Sequence, residues 1–291
     1  MSYLHALRSL NRYGYLPGMD EIDISLSGAD FINSSQVSQA VMMFQSFYGL
    51  DTTGRLDEAT IATIYTPRCT IVDSMEKSNF RTAERWEKNE LSWRVTKFPS
   101  NDVTEDLVVQ TMERAFSVWE KHANLRFFQA SSGVGDIEIR FESGDHGDGD
   151  PFDKSGGTLA HAFFPRQGKV SGDIHFDDDE FWTLGSFRGI NLTQVAVHEI
   201  GHSLGLHHTN VRGAIMFPSY EGYRPDLDLA ADDIAGIQSL YGAPDGYEGG
   251  GGGLPQEPEW VPSGGRGFGG DGTLLDLLRC CGLMLRADYK I

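Results

Sequence analysis

The stretch His198-Glu199-Ile200-Gly201-His202-Ser203-Leu204-Gly205-Leu206-His207-His208 decides how the rest of the chain is read. On a helix His198 and His202, four residues apart, project from one face about a turn apart, which suits two imidazole ligands to one zinc ion. Gly205 can take positive φ, end the helix and turn the backbone so that His208 comes round to the same metal. Three protein ligands leave a fourth position open, which marks a catalytic zinc rather than a structural one. Glu199 sits beside the first ligand without being one, and is placed to act as general base toward an attacking water. Against the alternative of an amphipathic helix with incidental histidines, these five fixed residue types arise by chance somewhere in a chain this long on the order of once in ten thousand, at ~1/20 per position.

The 291 residues suffice for one sizeable core, a smaller domain and a tail. A formal net charge of -18 argues against nucleic-acid or anionic-membrane partners and for bound cations that need carboxylate ligands. Three cysteines make no disulfide framework: Cys69 stands alone, and the adjacent Cys280 and Cys281 are poorly placed to pair with each other. The start Met1-Ser2-Tyr3-Leu4-His5 lacks the apolar run of a signal peptide, and no stretch is long and apolar enough to span a bilayer.

Taken in order, Leu4, Leu7, Leu10 and Tyr13 space a first helix that stops at Gly14. Ser35 starts a second, lined by Val37, Val41, Phe44 and Tyr48 before Gly49, and Leu56-Asp57-Glu58 starts a third. By itself this could be an independent three-helix binding module. Alternation at Leu91-Trp93-Val95 and Ile137-Ile139-Phe141, with an apolar run near residues 125–128, predicts strands. Between them Val108, Met112, Ala115 and Trp119 stripe a helix over about residues 104–122, and residues 229–241 read as a closing helix. The order gives an α+β domain with a mixed, mostly parallel sheet and three helices. A second cluster, His146, Asp148, His161 and His175, offers three imidazoles and one carboxylate, a closed tetrahedral set suited to structural zinc. Beyond Gly242 a run of five glycines followed by Pro, Glu and Ser reads as a flexible linker, with a short apolar tail after it.

The first motif, with Thr209 after its last His and Met216 beyond, resembles the matrix metalloproteinases, the matrixins among the metzincins. Tyr13-Gly14-Tyr15-Leu16-Pro17, Phe44-Gln45, Phe47, Gly49-Leu50 and Thr53-Gly54-Arg55-Leu56-Asp57 are similar to the matrixin propeptide, and His146-Gly147-Asp148, Pro151-Phe152-Asp153 and the run 172–180 to its catalytic domain. The resemblance implies a propeptide over 1–79, a zinc metallopeptidase domain over 80–243 and a tail over 244–291 with no haemopexin-like repeats. Pro67-Arg68-Cys69 then resembles the cysteine switch, in which the Cys69 thiolate caps the catalytic zinc. The usual Gly-Val-Pro-Asp is replaced by Thr70-Ile71-Val72-Asp73, so a backbone angle open only to glycine would loosen the cap.

Further residues carry roles through the resemblance alone. Asp153, Asp177 and Glu180, with backbone carbonyls of Lys154, Gly156 and Thr158, match one calcium site, where Lys154 replaces the usual Gly. Asp136 and Asp173 with Lys169 and Ser171 match a second, and Asp102, Asp178 and Glu180 a third. Residues 158–164 would pair with an extended substrate passing Ala162, and Gln194, Pro218 and Tyr220 would bound the pocket for its first side chain past the scissile bond. Met216 would floor the metal, and Asp233 would receive the new terminal ammonium after cleavage near Phe80. The expected cofactors are two zinc ions and one to three calcium ions per chain. The expected partners of this secreted monomer are extracellular matrix-type proteins such as collagen, and inhibitors of the tissue-inhibitor-of-metalloproteinases type. A permanently latent zinc-binding regulatory protein is the alternative. Asn33 and Asn191, both in Asn-x-Ser/Thr, are open to glycosylation on sequence.

Overall fold

The computed structural model describes residues 3–16, 35–73, 81–166 and 168–244. Phe80, Asn33, Cys280 and Cys281, named above, lie outside the described residues. The N-terminal unit is built from α1 (Tyr3–Arg12), α2 (Ser35–Phe47) and α3 (Glu58–Ile64). Their apolar stripes meet as the spacing requires, with Leu7 and Leu10, then Val37, Val41 and Phe44, and Ile64 in one core. Asp57 caps α3, its carboxylate accepting the Thr60 N–H at 2.9 Å. Gln45, fully buried, donates to Thr60 Oγ1 at 2.8 Å and accepts from Gly54 N at 2.9 Å, so every buried amide atom is used. Phe217, from the far side of the chain, completes this core and stacks edge-on with Tyr48.

The second unit is a five-stranded sheet of β1 (Glu90–Lys97), β2 (Arg126–Gln129), β3 (Ile137–Glu142), β4 (Ala160–Ala162) and β5 (Ile174–Asp177), in the order β2-β1-β3-β5-β4. All pairs are parallel except β4 with β5, and α4 (Glu105–Glu120) supplies the crossover that parallel β1 and β2 need. The period-two alternation is borne out: Leu91, Trp93, Val95 and Ile137, Ile139, Phe141 are buried. A small ladder of β6 (Trp182–Thr183) and β7 (Ile190–Asn191) leads into α5 (Leu192–Ser203), and α6 (Ala231–Tyr241) closes the unit.

Helix α5 carries the first two histidines, and both its ends are fixed chemically. Asn191 caps it by accepting the Gln194 N–H at 2.9 Å. That side chain is fully buried, so of the two Asn-x-Ser/Thr asparagines left open on sequence Asn191 offers no exposed amide here. Gly205, at φ +104, ends the helix: Gly205 N donates to His202 O and Leu206 N to Gly201 O. A side chain there would meet the Glu84 carbonyl at 2.7 Å, so only glycine makes this turn. Midway, Gly201 lets the helix lie directly on Met216 and Trp119: an added Cβ would come within 2.3 Å of Met216 Sδ and 2.8 Å of Trp119 Cζ2. The Trp119 indole in turn donates to Val197 O at 2.9 Å, pinning α4 to α5. Gly201→Ala should therefore lower the thermal midpoint by the equivalent of about 1–3 kcal/mol of overpacking. An unchanged calorimetric midpoint would show that Met216 can move aside without cost.

Candidate active site

The three histidines of the opening motif meet at one point. His198 Nε2 and His202 Nε2 are 3.1 Å apart, and His208 Nε2 is 3.2 and 3.1 Å from them. Each Nδ1 has its own acceptor: Ile215 O at 2.6 Å for His198, Leu206 O at 2.7 Å for His202 and Asp73 Oδ1 at 2.9 Å for His208. With the proton held on Nδ1, every Nε2 presents a lone pair to the common point. Zinc–nitrogen bonds of about 2.0–2.1 Å in a tetrahedron separate the nitrogens by roughly 3.3 Å, so the set fits a zinc ion. Burial drives the His198 pKa down to about 3 and removes the competing proton. Glu199 is fully buried beside them, its Oε1 has no protein partner, and burial pushes its pKa up to about 8.

Across this point lies the segment expected to cap it. Cys69 Sγ, with the three imidazole nitrogens, makes a four-atom group within 4.8 Å, and sits 3.6 Å from Glu199 Oε2. Residues 67–69 run as a strand through a groove. Arg68 N donates to Gly157 O, Leu159 N to Arg68 O, Cys69 N to Pro218 O and Tyr220 N to Pro67 O. Arg68 bridges Thr158 in the parallel sense, opposite to the antiparallel pairing expected of a substrate. Its guanidinium, with no exposed side-chain area, forms a two-point pair with Asp73 at 2.9 and 2.7 Å and donates to the Tyr48 hydroxyl and the Cys69 carbonyl. The carboxylate partner of Arg68 is therefore Asp73, which sequence alone could not identify. Burial pushes the Asp73 carboxyl up, but Arg68 and His208 outweigh it and hold its pKa down at about 2.

The strain expected at Thr70 is corrected. Among the described residues only Lys154 and Arg166 combine a side chain with positive φ, so Thr70 needs no glycine-like angle. Its hydroxyl donates to Asp150 Oδ2 at 2.9 Å, a contact that glycine could not make.

The second cluster also closes as spaced: Asp148 Oδ2 lies 2.7, 2.8 and 2.7 Å from His146 Nε2, His161 Nε2 and His175 Nδ1. Its three nitrogens and one oxygen fit a closed tetrahedral zinc site. Sequence reading missed Arg140, whose guanidinium lies 2.7 Å from His175 Nε2, on the side of the ring away from the Nδ1 that points into the cluster. The signal was available in the alternation of β3, which sends Arg140 to the face opposite Ile139 and opposite His175 in register.

Comparison with known proteins agrees with this geometry. The matrixin family profile matches residues 85–242. The chain belongs to the matrixins. A peptidoglycan-binding-domain profile matches residues 7–64 of this matrixin, within the helical unit. The chain is 44% identical over 213 residues to a macrophage metalloelastase of Rattus norvegicus, covering 73% of this chain and 45% of that protein. It is 40% identical over 245 residues to matrix metalloproteinase-17 of Homo sapiens, covering 80% and 40%. With a matrilysin of Rattus norvegicus identity is 43% over 199 residues, covering 68% and 74%. The chain thus spans less than half the length of the first two relatives.

In this matrixin Met216 is buried beneath α5, and Asp233 holds the turn that carries it. Asp233 accepts the N–H groups of Ile215, Met216 and Ala230 at 2.7, 3.0 and 2.9 Å. Both of its oxygens accept backbone N–H groups in this form, the setting in which the expected terminal ammonium would have to arrive. Its neighbour Asp232 keeps a buried Oδ2 without a protein partner. Gln194 spans the base of the groove, donating to Gly222 O at 3.0 Å and accepting from Arg224 N at 3.1 Å, while Pro218 and Tyr220 form its wall. Ala162 lies buried on β4, the sheet edge, opposite Ile174.

The acidic residues are distributed unevenly. Asp177 and Glu180 are buried near Asp153, and burial with mutual repulsion raises their pKa values to about 6 and 7. Asp177 Oδ2 has no protein partner, so this group fits a hard cation. The neighbouring Lys154 stands at φ 73, a strained angle for the residue that replaces glycine. Asp153 Oδ1 accepts Thr158 N and Glu180 Oε1 accepts Gly156 N, drawing the loop onto the carboxylates. The expected second set is used differently: Asp136 binds Lys88 Nζ at 2.6 Å and both Ser92 N and Oγ at 2.8 Å. Asp173 accepts Glu138 N, Ser171 Oγ accepts Arg166 N, and Lys169 lies in a turn at Gly168–Val170. Of the third set, Asp178 accepts Ser100 N and Glu180 faces the first group, while Asp102 is exposed.

Thr70→Gly should raise the residual peptide cleavage of the intact chain, because it deletes the hydroxyl bond to Asp150 without relieving any strained angle. A twofold to fivefold rise corresponds to roughly 0.5–1 kcal/mol, the worth of one hydrogen bond. Lower residual cleavage in a fluorogenic assay would restore the strained-cap reading.

Proposed function

We propose that this matrixin is the latent form of a zinc- and calcium-dependent endopeptidase. Residues 1–79 act as inhibitory propeptide and residues 80–243 as catalytic domain. The observation that carries the reading is the convergence of three imidazole lone pairs and one thiol on a single point, with a buried, unpartnered carboxylate oxygen beside it. A zinc ion held by His198, His202 and His208 supplies a Lewis acid for the peptide carbonyl and lowers the pKa of water. Glu199 then accepts the proton of the attacking water and returns it to the leaving amine, a role suited to a carboxylate whose pKa burial has raised. The extended substrate pairs antiparallel to residues 158–164, past Ala162. Its first side chain past the scissile bond enters the pocket near Pro218 and Tyr220, whose depth Gln194 limits.

The segment 67–69 fills the same groove in the opposite chain direction, so its peptide bonds are presented the wrong way round for attack. Cys69 occupies the side from which water must approach. Calcium fits the group around Asp153, Asp177 and Glu180. The second zinc fits His146, Asp148, His161 and His175. Relatives that bear the names interstitial collagenase and macrophage metalloelastase support extracellular, matrix-type protein substrates and a secreted site of action. Among the described residues no helix is long and apolar enough to cross a membrane. A permanently latent binding protein is the second reading, but binding alone has no use for Glu199 beside an open ligand position.

Treatment of the purified chain with an organomercurial should release peptidase activity and trim residues N-terminal to the catalytic domain, and Cys69→Ser should cleave peptides without treatment. Glu199→Ala should retain zinc by metal analysis yet lose at least ~10²-fold in kcat/KM. A chain that stays inert after treatment and in Cys69→Ser supports the binding reading instead. Chelation of calcium with zinc retained should lower the thermal midpoint, and a constant midpoint would remove calcium from the proposal.

A further inference from the structure

The Gly- and Asp-rich loop before β4 carries a carboxylate, Asp150, that takes no part in holding either candidate metal set as a ligand. Asp150 is gripped from two parts of the N-terminal unit. Arg12 Nη2, at the end of α1, donates to Asp150 Oδ1 at 2.5 Å and to the Pro151 carbonyl at 2.9 Å. Thr70 Oγ1 donates to Asp150 Oδ2 at 2.9 Å. The two side chains of the ion pair are 28% and 37% exposed, so the pair sits at a rim open to solvent. The Asp150 backbone is fixed independently, its N–H donating to Asp148 Oδ1 at 2.9 Å. The backbone of Asp150 therefore stays anchored without Arg12 or Thr70, and the other neighbour of its carboxylate is His161, whose Nδ1 lies 3.6 Å from Oδ2.

Its place along the groove follows from the switch segment. Pro67 accepts the Tyr220 N–H beside the pocket that takes the side chain past the scissile bond, and Cys69 faces the three imidazoles. Thr70 continues away from that pocket, so Asp150 lies on the side that a substrate occupies N-terminal to its scissile bond. Arg12 shows what the rim accepts: a guanidinium donating to a carboxylate oxygen and to an adjacent backbone carbonyl. Cleavage ahead of the catalytic domain would remove Arg12 and Thr70 together and leave both acceptors without these partners.

We propose that Asp150 is a specificity group of the activated enzyme, selecting substrates with a basic side chain, arginine above all, on the N-terminal side of the scissile bond. In the latent chain the same carboxylate is neutralised by Arg12. The proposal rests on the endopeptidase reading. It adds that one acidic rim position is read first by the propeptide and then by the substrate.

The test uses the full-length chain activated by organomercurial and a peptide series with Arg, Ala or Glu at each of the four positions before the scissile bond. At one of those positions Arg should exceed Ala in kcat/KM by about three- to fivefold, the range of a partly exposed ion pair, and mainly through KM. The preference should shrink at high salt. It should vanish in Asp150→Asn, and Asp150→Lys should favour Glu at the same position. A purely structural role for Asp150 would change all peptides alike and leave the ratios and their salt dependence untouched. Cleavage of the Ala peptides with no Arg preference, or a preference that survives in Asp150→Asn, overturns the proposal while leaving the peptidase reading standing. Failure to cleave any peptide after activation overturns both.

Discussion

Three unprotonated imidazole nitrogens within 3.2 Å of one another are the constraint to which the rest of the structure answers. Lone pairs so close repel unless a cation stands between them, and burial denies each ring the option of taking up a proton. The fold satisfies this by giving every Nδ1 a fixed acceptor, and the acceptors come from three different pieces of chain. The turn at Gly205 brings Leu206 O to His202, and the turn held by Asp233 brings Ile215 O to His198. Asp73, in the segment that covers the groove, serves His208. Two of the acceptors belong to the sheet-containing unit and one to the segment laid across the groove, so that segment completes the set of acceptors around the histidines it covers.

Asp73 explains why that cover holds without strain. A buried ion pair loses hydration worth several kcal/mol per charge, and is tolerated only when every remaining donor and acceptor is used. Here Arg68 meets both carboxylate oxygens of Asp73, the Tyr48 hydroxyl and the Cys69 carbonyl, with its guanidinium 3.8 Å above the Tyr13 ring. Asp73 in addition accepts from Tyr15 and His208. Tyr13, Tyr15 and Tyr48 are core residues of the helical unit, so its apolar packing and the polar lock over the groove share the same side chains. Loosening either loosens the other.

Much of this could be read in the sequence because its periodicities are strong and its metal ligands fall at fixed spacings. The three N-terminal helices, the parallel strands with their buried alternation, α5 and its termination at Gly205 all follow from local rules that tertiary contacts only reinforce. What could not be read is pairing at long range. Nothing in the spacing of Arg12 and Asp150, 138 residues apart, announces that they meet, nor that Asp136 faces Lys88. The roles of Asp232 and Asp233 were inseparable on sequence, since adjacent identical residues on a helix differ only in the direction in which they point.

The departures from the family pattern separate into two kinds when each is set beside its contacts. Lys154 replaces a glycine and keeps the glycine's backbone angle, φ 73, so there the fold imposes its conformation on an unsuitable residue. Thr70 also replaces a glycine, but adopts an ordinary angle and gains a side-chain bond to Asp150. The same substitution class thus costs stability in one loop and adds a contact in the other. The difference lies in what surrounds the backbone. Residues 153–158 are held on both sides by hydrogen bonds to Asp153 and Glu180, which fix the curve that Lys154 must follow. The segment after Cys69 is held at its ends, by Cys69 N donating to Pro218 O and Asp73 N to Tyr13 O, and between them by the Arg68–Asp73 pair, a path on which Thr70 keeps an ordinary angle. The segment across the groove is therefore held by a network of side-chain pairs in place of a glycine turn, and Asp150 at the rim joins that network through Thr70 and Arg12.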